Sequence, residues 1–258
     1  MVNFNDKYDE TKELFKKMDF SIDDNFVLEI NITGEGAGTF YIKYYNKIKE
    51  IKEMREKYDD LAVVCYINST AEIKQYADVC VTSSNAVKIV KALPQKNIFF
   101  IPDQNLGDFV RRQVPEKNVM TNYGHCPRHT NITLDKLNEV KQKYPEAKIA
   151  VHPECKREIV EAADFVGSTS AIIDYVVQTD VKDFIIGTVD GVFAKIKELA
   201  PNKNLHTIMD VQVCPNMKKT RLQDVYDALD GKKEEVILDE EIRKKALTSL
   251  ENMHKLGN

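Results

Sequence analysis

The chain repeats itself, and that repetition narrows the folds open to it more than any other feature. Glu56-Lys57-Tyr58 returns as Gln142-Lys143-Tyr144, and the match runs on in register at an offset of about 86 residues. Glu72 falls on Glu158, Ala77-Asp78 on Ala163-Asp164, and Thr82-Ser83-Ser84 on Ser168-Thr169-Ser170. Pro115, Lys117 and Asn118 fall on Pro201, Lys203 and Asn204. A slip of two residues then brings Cys126-Pro127 onto Cys214-Pro215 and Leu134 onto Leu222. Chance does not hold register over such a length. The chain carries a duplication, so one local plan must satisfy both copies.

That plan is alternating strand and helix. In copy one, Leu61–Ile67, Val79–Thr82, Ile98–Ile101 and Val119–Thr121 are short apolar runs of strand length. Between them, Ala71–Ala77, Asn85–Leu93 and Leu106–Arg112 read as helix or turn, with Val87, Ile89, Val90 and Leu93 on one face of the second. Copy two follows with strands at Ile149–His152, Phe165–Gly167, Phe184–Gly187 and Leu205–Ile208, and helices at Ala171–Val177 and Val192–Leu199. Continuous apolar strands between amphipathic helices indicate parallel sheets covered on both faces, an α/β class of duplicated three-layer αβα units. The charged tail from Lys232 to Asn258 reads as a helix packed onto the body through Ile242, Ala246, Leu247, Leu250 and Met253.

Bulk properties remove several function classes. With 37 basic and 41 acidic residues in 258, the net charge of −4 gives no electrostatic footprint for nucleic acid. No apolar run approaches a membrane span, and Met1–Met18 is polar and of mixed charge, unlike a signal peptide. A cytoplasmic location is therefore expected, with Cys65, Cys80, Cys126, Cys155 and Cys214 as reduced thiols. No C-x-x-C pair occurs, which argues against a zinc ribbon or a thioredoxin-type site but leaves open a centre fed by several loops.

In parallel sheets, ligands sit at the carboxyl ends of the strands, so the polar residues there are the candidates. After the first strand come Tyr66 and Asn68 in copy one, and His152 and Glu154 in copy two. After the second strand come Ser83 in copy one, and Ser168 and Thr169 in copy two. Hydroxyls at a helix N-terminus suit a phosphate or carboxylate, although each taken singly is also an ordinary helix cap. His125, Cys126 and His129 form a further group, in which a metal ligand would be the Cys126 thiolate with His129 as a base or hydrogen-bond donor. Cys214 holds the matching place in copy two. Cys65 and Cys80 lie inside apolar strand runs and read as core thiols, while Cys155 is close enough in sequence to His152 and Glu154 to approach the site.

These motifs together resemble the quinolinate synthase family over roughly four-fifths of the chain, from about Ile48 onward. They are Tyr66-Ile67-Asn68-Ser69-Thr70-Ala71-Glu72, Thr82-Ser83-Ser84-Asn85-Ala86-Val87, Pro102-Asp103-Gln104-Asn105-Leu106-Gly107 and Gly124-His125-Cys126-Pro127-Arg128-His129. His152-Pro153-Glu154-Cys155, Gly167-Ser168-Thr169 and Cys214-Pro215-Asn216-Met217-Lys218-Lys219 complete the set. The resemblance implies α/β domains around a pseudo-threefold axis, each giving one cysteine to a [4Fe–4S] cluster with one iron open to substrate. It implies a transferase or lyase of NAD biosynthesis that condenses iminoaspartate with dihydroxyacetone phosphate, losing phosphate and water. By the same resemblance, Cys126 and Cys214 are cluster ligands. Tyr66, Asn68, His129, His152 and Glu154 line the cavity, and Ser83, Ser168 and Thr169 hold phosphate or carboxylates.

Three departures qualify this picture. The repeat offset places a third cysteine at position 40, which is Phe40. The family's opening His-x-Tyr strand has no counterpart in Met1–Thr39, and Val189 stands where the family has Glu. Expected domains are a divergent remnant of a first domain at 1–47, repeat one at 48–130, repeat two at 131–231 and the terminal helix at 232–258. The third ligand is then Cys155, a substrate, or a second chain supplying the absent domain. The alternative to a divergent synthase acting on a dicarboxylate or triose phosphate is a non-catalytic binder of phosphate or small molecules, or a partner subunit of a full-length synthase.

Overall fold

The structure, a computed structural model, describes residues 26–32, 38–44 and 47–257. The described residues fall into two compact bodies, one ending at Glu53 and the other beginning at Met54. In the first, strands β1 (Phe26–Ile32) and β2 (Gly38–Tyr44) pair antiparallel, with Phe40 opposite Ile30. The sequence reading assigned no strands to this region. Position 40 lies on a hairpin strand, whereas Cys126 and Cys214 lie on loops that follow strands.

The second body holds two four-stranded parallel sheets. Strands β3 (Leu61–Tyr66), β4 (Val79–Val81), β5 (Asn97–Ile101) and β6 (Asn118–Thr121) assemble in the order β4-β3-β5-β6. Strands β7 (Lys148–Val151), β8 (Phe165–Val166), β9 (Asp183–Gly187) and β10 (Asn204–Thr207) assemble as β8-β7-β9-β10. Each copy thus places its strands second, first, third, fourth. Ala62 sits beside Ile98 in one sheet as Lys148 sits beside Phe184 in the other, the same register shifted by one repeat.

The duplication extends to individual hydrogen bonds. Asp78 and Asp164 each bond through a carboxylate oxygen to the amide of the adjacent first strand, Val63 at 2.6 Å and Ile149 at 2.8 Å. Lys117 donates to the carbonyls of Leu93 and Gln95, and Lys203 to those of Thr179 and Val181. The Gln104 amide donates to Gly124 as the Asp190 amide donates to Gln212. In both copies these contacts tie the first strand to the segment before the second, and join the segments on either side of the third and fourth strands.

Pleating divides each strand between two apolar layers. In copy two, Ile149, Val151 and Ile185 face Leu137, Ile159 and Ile208, while Ala150, Phe184 and Ile186 face Ile172, Val176 and Ile196. Copy one is equally dry, with Val63, Val64, Cys65, Val79, Cys80 and Val81 all at 0% exposure. Cys65 and Cys80 are register partners there, as core thiols.

Helix α1 (Lys47–Lys57) leads into β3, and Arg55 near its end bonds Asp78 at 2.9 Å. In copy one, α2 (Ala71–Lys74), α3 (Ala86–Ala92) and α4 (Gln104–Gln113) connect the strands. After the single turn α5 (Pro127–Thr130), α6 (Leu134–Lys143), α7 (Arg157–Glu161), α8 (Thr169–Gln178) and α9 (Gly191–Leu199) do so in copy two. Next comes α10 (Leu222–Leu229), and α11 (Glu240–Gly257) closes the chain against copy one, on β4, α2 and α3.

The buried face of α11 differs from the apolar stripe read in the sequence. Ala246, Ser249 and Met253 are buried, Leu247 is 41% exposed, and Ile242 and Leu250 are half-buried. Small side chains let the helix approach closely. The Ser249 hydroxyl is satisfied by the Ala246 carbonyl at 2.8 Å and the Cys80 thiol at 3.2 Å.

Two carbonyls inside copy two rely on Lys203, which is 6% exposed. Lys203→Met leaves both without a partner and is expected to cost about 1–3 kcal/mol by urea unfolding. The half-buried equivalent Lys117→Met is expected to cost less, because water can reach its carbonyls.

Candidate functional site

The first and third strands of each copy are neighbours whose connections leave in opposite directions, so a crevice opens at their carboxyl ends. Tyr66 ends β3 and Asp103 follows β5; in copy two His152 and Glu154 follow β7, and Thr188 follows β9. These five residues, with Cys126 and His129 of the loop after β6, form one largely buried polar group drawn from both copies.

His129 is its hub. It is 6% exposed, its Nδ1 lies 2.8 Å from a Glu154 carboxylate oxygen, and its Nε2 lies 3.1 Å from the Thr188 hydroxyl. Its ring stacks on that of His152, centroids 4.6 Å apart at 20°. Burial opposes charge on His129, but the neighbouring Cys126 thiol and Glu154 carboxylate outweigh it and hold the imidazolium up to about 9. His152 goes the other way. Burial, reinforced by the His129 charge, pushes it down to about 4. The Glu154 amide donates to His152 Nδ1 at 3.3 Å, so the neutral ring carries its proton on Nε2.

The acids divide similarly. Burial works to raise Glu154, yet the hydrogen bond and charge of His129, with help from His152 and Tyr66, take it below the usual carboxylate range. Asp103 is raised by burial, with the Glu154 charge adding to it. Its side chain caps α4 through the amides of Asn105 at 2.7 Å and Leu106 at 3.1 Å, and it accepts the Cys126 amide. Burial also works to raise the Cys126 thiol, but His129 beside it takes it below its ordinary value. The Tyr66 phenol is pushed up by burial and by the Glu154 charge, against a hydrogen bond with Ser83. Paired groups with opposed shifts supply proton donors and acceptors side by side.

The remaining predicted residues are placed less centrally. Ser168 caps α8, its hydroxyl accepting the Ala171 amide at 3.3 Å, and Thr169 beside it is exposed, as is Asn68. Cys214 is half-buried on a loop matching that of Cys126: the Cys126 carbonyl accepts the Thr130 amide at 2.9 Å, and the Cys214 carbonyl accepts the Lys218 amide at 3.2 Å. Cys155 lies in the copy-two core with its thiol on the Gly187 carbonyl at 3.4 Å, and burial pushes that thiol up, which keeps it protonated. Cys126, His129 and Glu154 bring one ligand atom each to within 4.8 Å of one another.

Asp103, Thr188 and Asn105 were given no role from the sequence. Extending the strand-end search to the third strand of each copy finds Asp103 and Thr188. Asn105 is visible only in three dimensions: its amide donates to Thr130 at 2.9 Å and to the Glu154 carbonyl at 3.0 Å, linking the copies.

Comparison with known proteins decides the family. The family described as "Quinolinate synthetase A protein" matches residues 41–255, leaving Phe40 outside the match. The chain belongs to the quinolinate synthase family. A quinolinate synthase of Fusobacterium nucleatum is 52% identical over 210 residues, covering 81% of this chain and 70% of the relative. One of Clostridioides difficile is 46% identical over 205 residues (80% and 67%), and one of Clostridium kluyveri 48% over 206 (80% and 68%). Small-molecule substrates follow from this membership. No helix among the described residues is long and apolar enough to cross a membrane.

The two histidines give stability opposite slopes with pH. His152 binds its proton only in the unfolded chain between about pH 4 and its ordinary 6.5, so its contribution rises with pH there. His129 keeps its proton only in the folded chain between 6.5 and about 9, so its contribution falls through that window. Urea unfolding across pH is expected to show a maximum between the two limbs, and His152→Gln to flatten the acid one. Glu154→Gln is expected to lower the His129 titration midpoint, measured by NMR on metal-free protein.

Proposed function

We propose that this chain performs quinolinate synthase chemistry, condensing iminoaspartate with dihydroxyacetone phosphate and losing phosphate and water. The observation that carries this reading is the meeting of Tyr66, Ser83 and His129 from one copy with His152 and Glu154 from the other. A group assembled across a duplication, with its proton-holding members tuned in opposite directions, is the arrangement that acid–base chemistry requires.

Each residue has a separable task. His129, charged at neutral pH, donates a proton to a departing hydroxyl, and Glu154 holds the imidazole in orientation and steadies its charge. His152, neutral with its proton on Nε2, donates a hydrogen bond to a carbonyl or carboxylate oxygen. Tyr66 stays a phenol and does the same from the opposite side, with Ser83 next to it. The N-terminus of α8, with Ser168 and Thr169, offers amides to the phosphate or a carboxylate, and Asn68 borders the entrance.

Cys126 and Cys214 would hold the family's [4Fe–4S] cluster: both are half-buried on matching loops, and His129 takes the Cys126 thiol below its ordinary value. When bound, the cluster's open iron supplies Lewis-acid activation of a hydroxyl or carbonyl. Cys155 is engaged in the core, and Cys65 and Cys80 face each other inside a sheet, so we assign the third thiolate to a second chain that supplies a further α/β domain. The setting is a reducing cytoplasm, where none of the five cysteines pairs as a disulfide.

Anaerobic reconstitution with iron and sulfide is expected to give broad visible absorption that Cys126→Ala or Cys214→Ala abolishes. Tyr66→Phe and Glu154→Gln are expected to lower quinolinate formation by about 10²–10⁴-fold while leaving that absorption in place. The reading fails if no cluster forms and both cysteine variants behave as the parent does.

A further inference from the structure

The Cys126 end of the site also gathers three side chains that could hold a single ion. We propose that the chain, before any cluster is installed, binds one divalent metal of the zinc type through Cys126, His129 and Glu154. Cys214 is outside this group, which sets the ion's site apart from a cluster held by both thiols. The inference rests on the proposed function in one respect: Cys126 is shared, so ion and cluster exclude each other.

Geometry comes first. The three ligand atoms lie within 4.8 Å of one another, and His129 and Glu154 already approach to 2.8 Å. Bonds of 2.0–2.3 Å to nitrogen, oxygen and sulfur set tetrahedral donors about 3.5 Å apart, so closure asks for movement on the order of an ångström. Cys126 can supply it, since it is half-buried and begins a helix of a single turn. Its open side leaves a fourth position for water or a substrate oxygen. Thiolate, imidazole and carboxylate form the borderline donor set that favours zinc over magnesium or calcium.

The surroundings are built for the same task. Thr188 receives the far nitrogen of His129, Asp103 accepts the Cys126 amide, and Asn105 holds the Glu154 carbonyl. Each ligand residue is therefore gripped by one that is not a ligand, the arrangement that orients metal-binding side chains. Charge agrees as well. One thiolate, one carboxylate and a neutral imidazole balance a divalent ion, leaving no net charge on the three ligands and their metal in a place with little access to water.

Cobalt(II) titrated anaerobically into metal-free protein tests this directly. The expected result is one Co(II) per chain, with a thiolate-to-cobalt band in the near ultraviolet and intense visible bands of tetrahedral geometry. Cys214→Ser should keep this signature. Cys126→Ser should abolish the thiolate band, and Glu154→Gln and His129→Ala should each weaken binding about tenfold or more. One equivalent of Zn(II) added first should block reconstitution of a cluster in the parent chain. The proposal is overturned if folded parent protein, checked by circular dichroism, shows no thiolate band. It is equally overturned if Cys214→Ser removes the signature as readily as Cys126→Ser. A chain that takes Co(II) yet never forms a cluster supports this inference and sinks the synthase reading, and a cluster without Co(II) binding does the reverse.

Discussion

The carboxylate of Glu154 is the constraint on which the site turns. An ionised carboxylate this deeply buried is tolerated only if a cation meets it, and His129 does so at 2.8 Å. That contact adds to what burial and Cys126 do to the groups nearby. With the Cys126 thiol it keeps His129 charged, the His129 charge adds to the burial that keeps His152 neutral, and the Glu154 charge adds to the burial that raises Tyr66 and Asp103.

The scaffold below that pair is uniform. Both copies use the same strand order, the same aspartate on the first strand and the same lysine on two loop carbonyls. They differ at the strand ends. Asp103 in copy one corresponds to Val189 in copy two, and Tyr66 to His152. Duplication supplied two frames, and divergence at their rims supplied a pocket whose two walls are chemically unlike.

Most of this frame could be read in the residues, because the repeat tests every assignment twice. The strand runs fell within a residue or two of their observed limits, and the parallel α/β class followed from them. What escaped was information that depends on contact. Ser249 on the buried face of α11 is polar, and only the Cys80 thiol opposite explains its place there. Thr188 is one more strand-end hydroxyl until His129, 59 residues away, is seen to reach it. The hairpin at 26–44 has no counterpart in the repeat, which left its strands without that second test.

The seam between the copies is fastened close to the reactive groups. The Asn105 amide crosses it to the Glu154 carbonyl at 3.0 Å, and Arg157 of copy two grips Asp108 of copy one through both carboxylate oxygens, at 2.6 and 3.1 Å. Any motion that parted the two halves here would have to break these links, so they help to hold the facing walls of the pocket together.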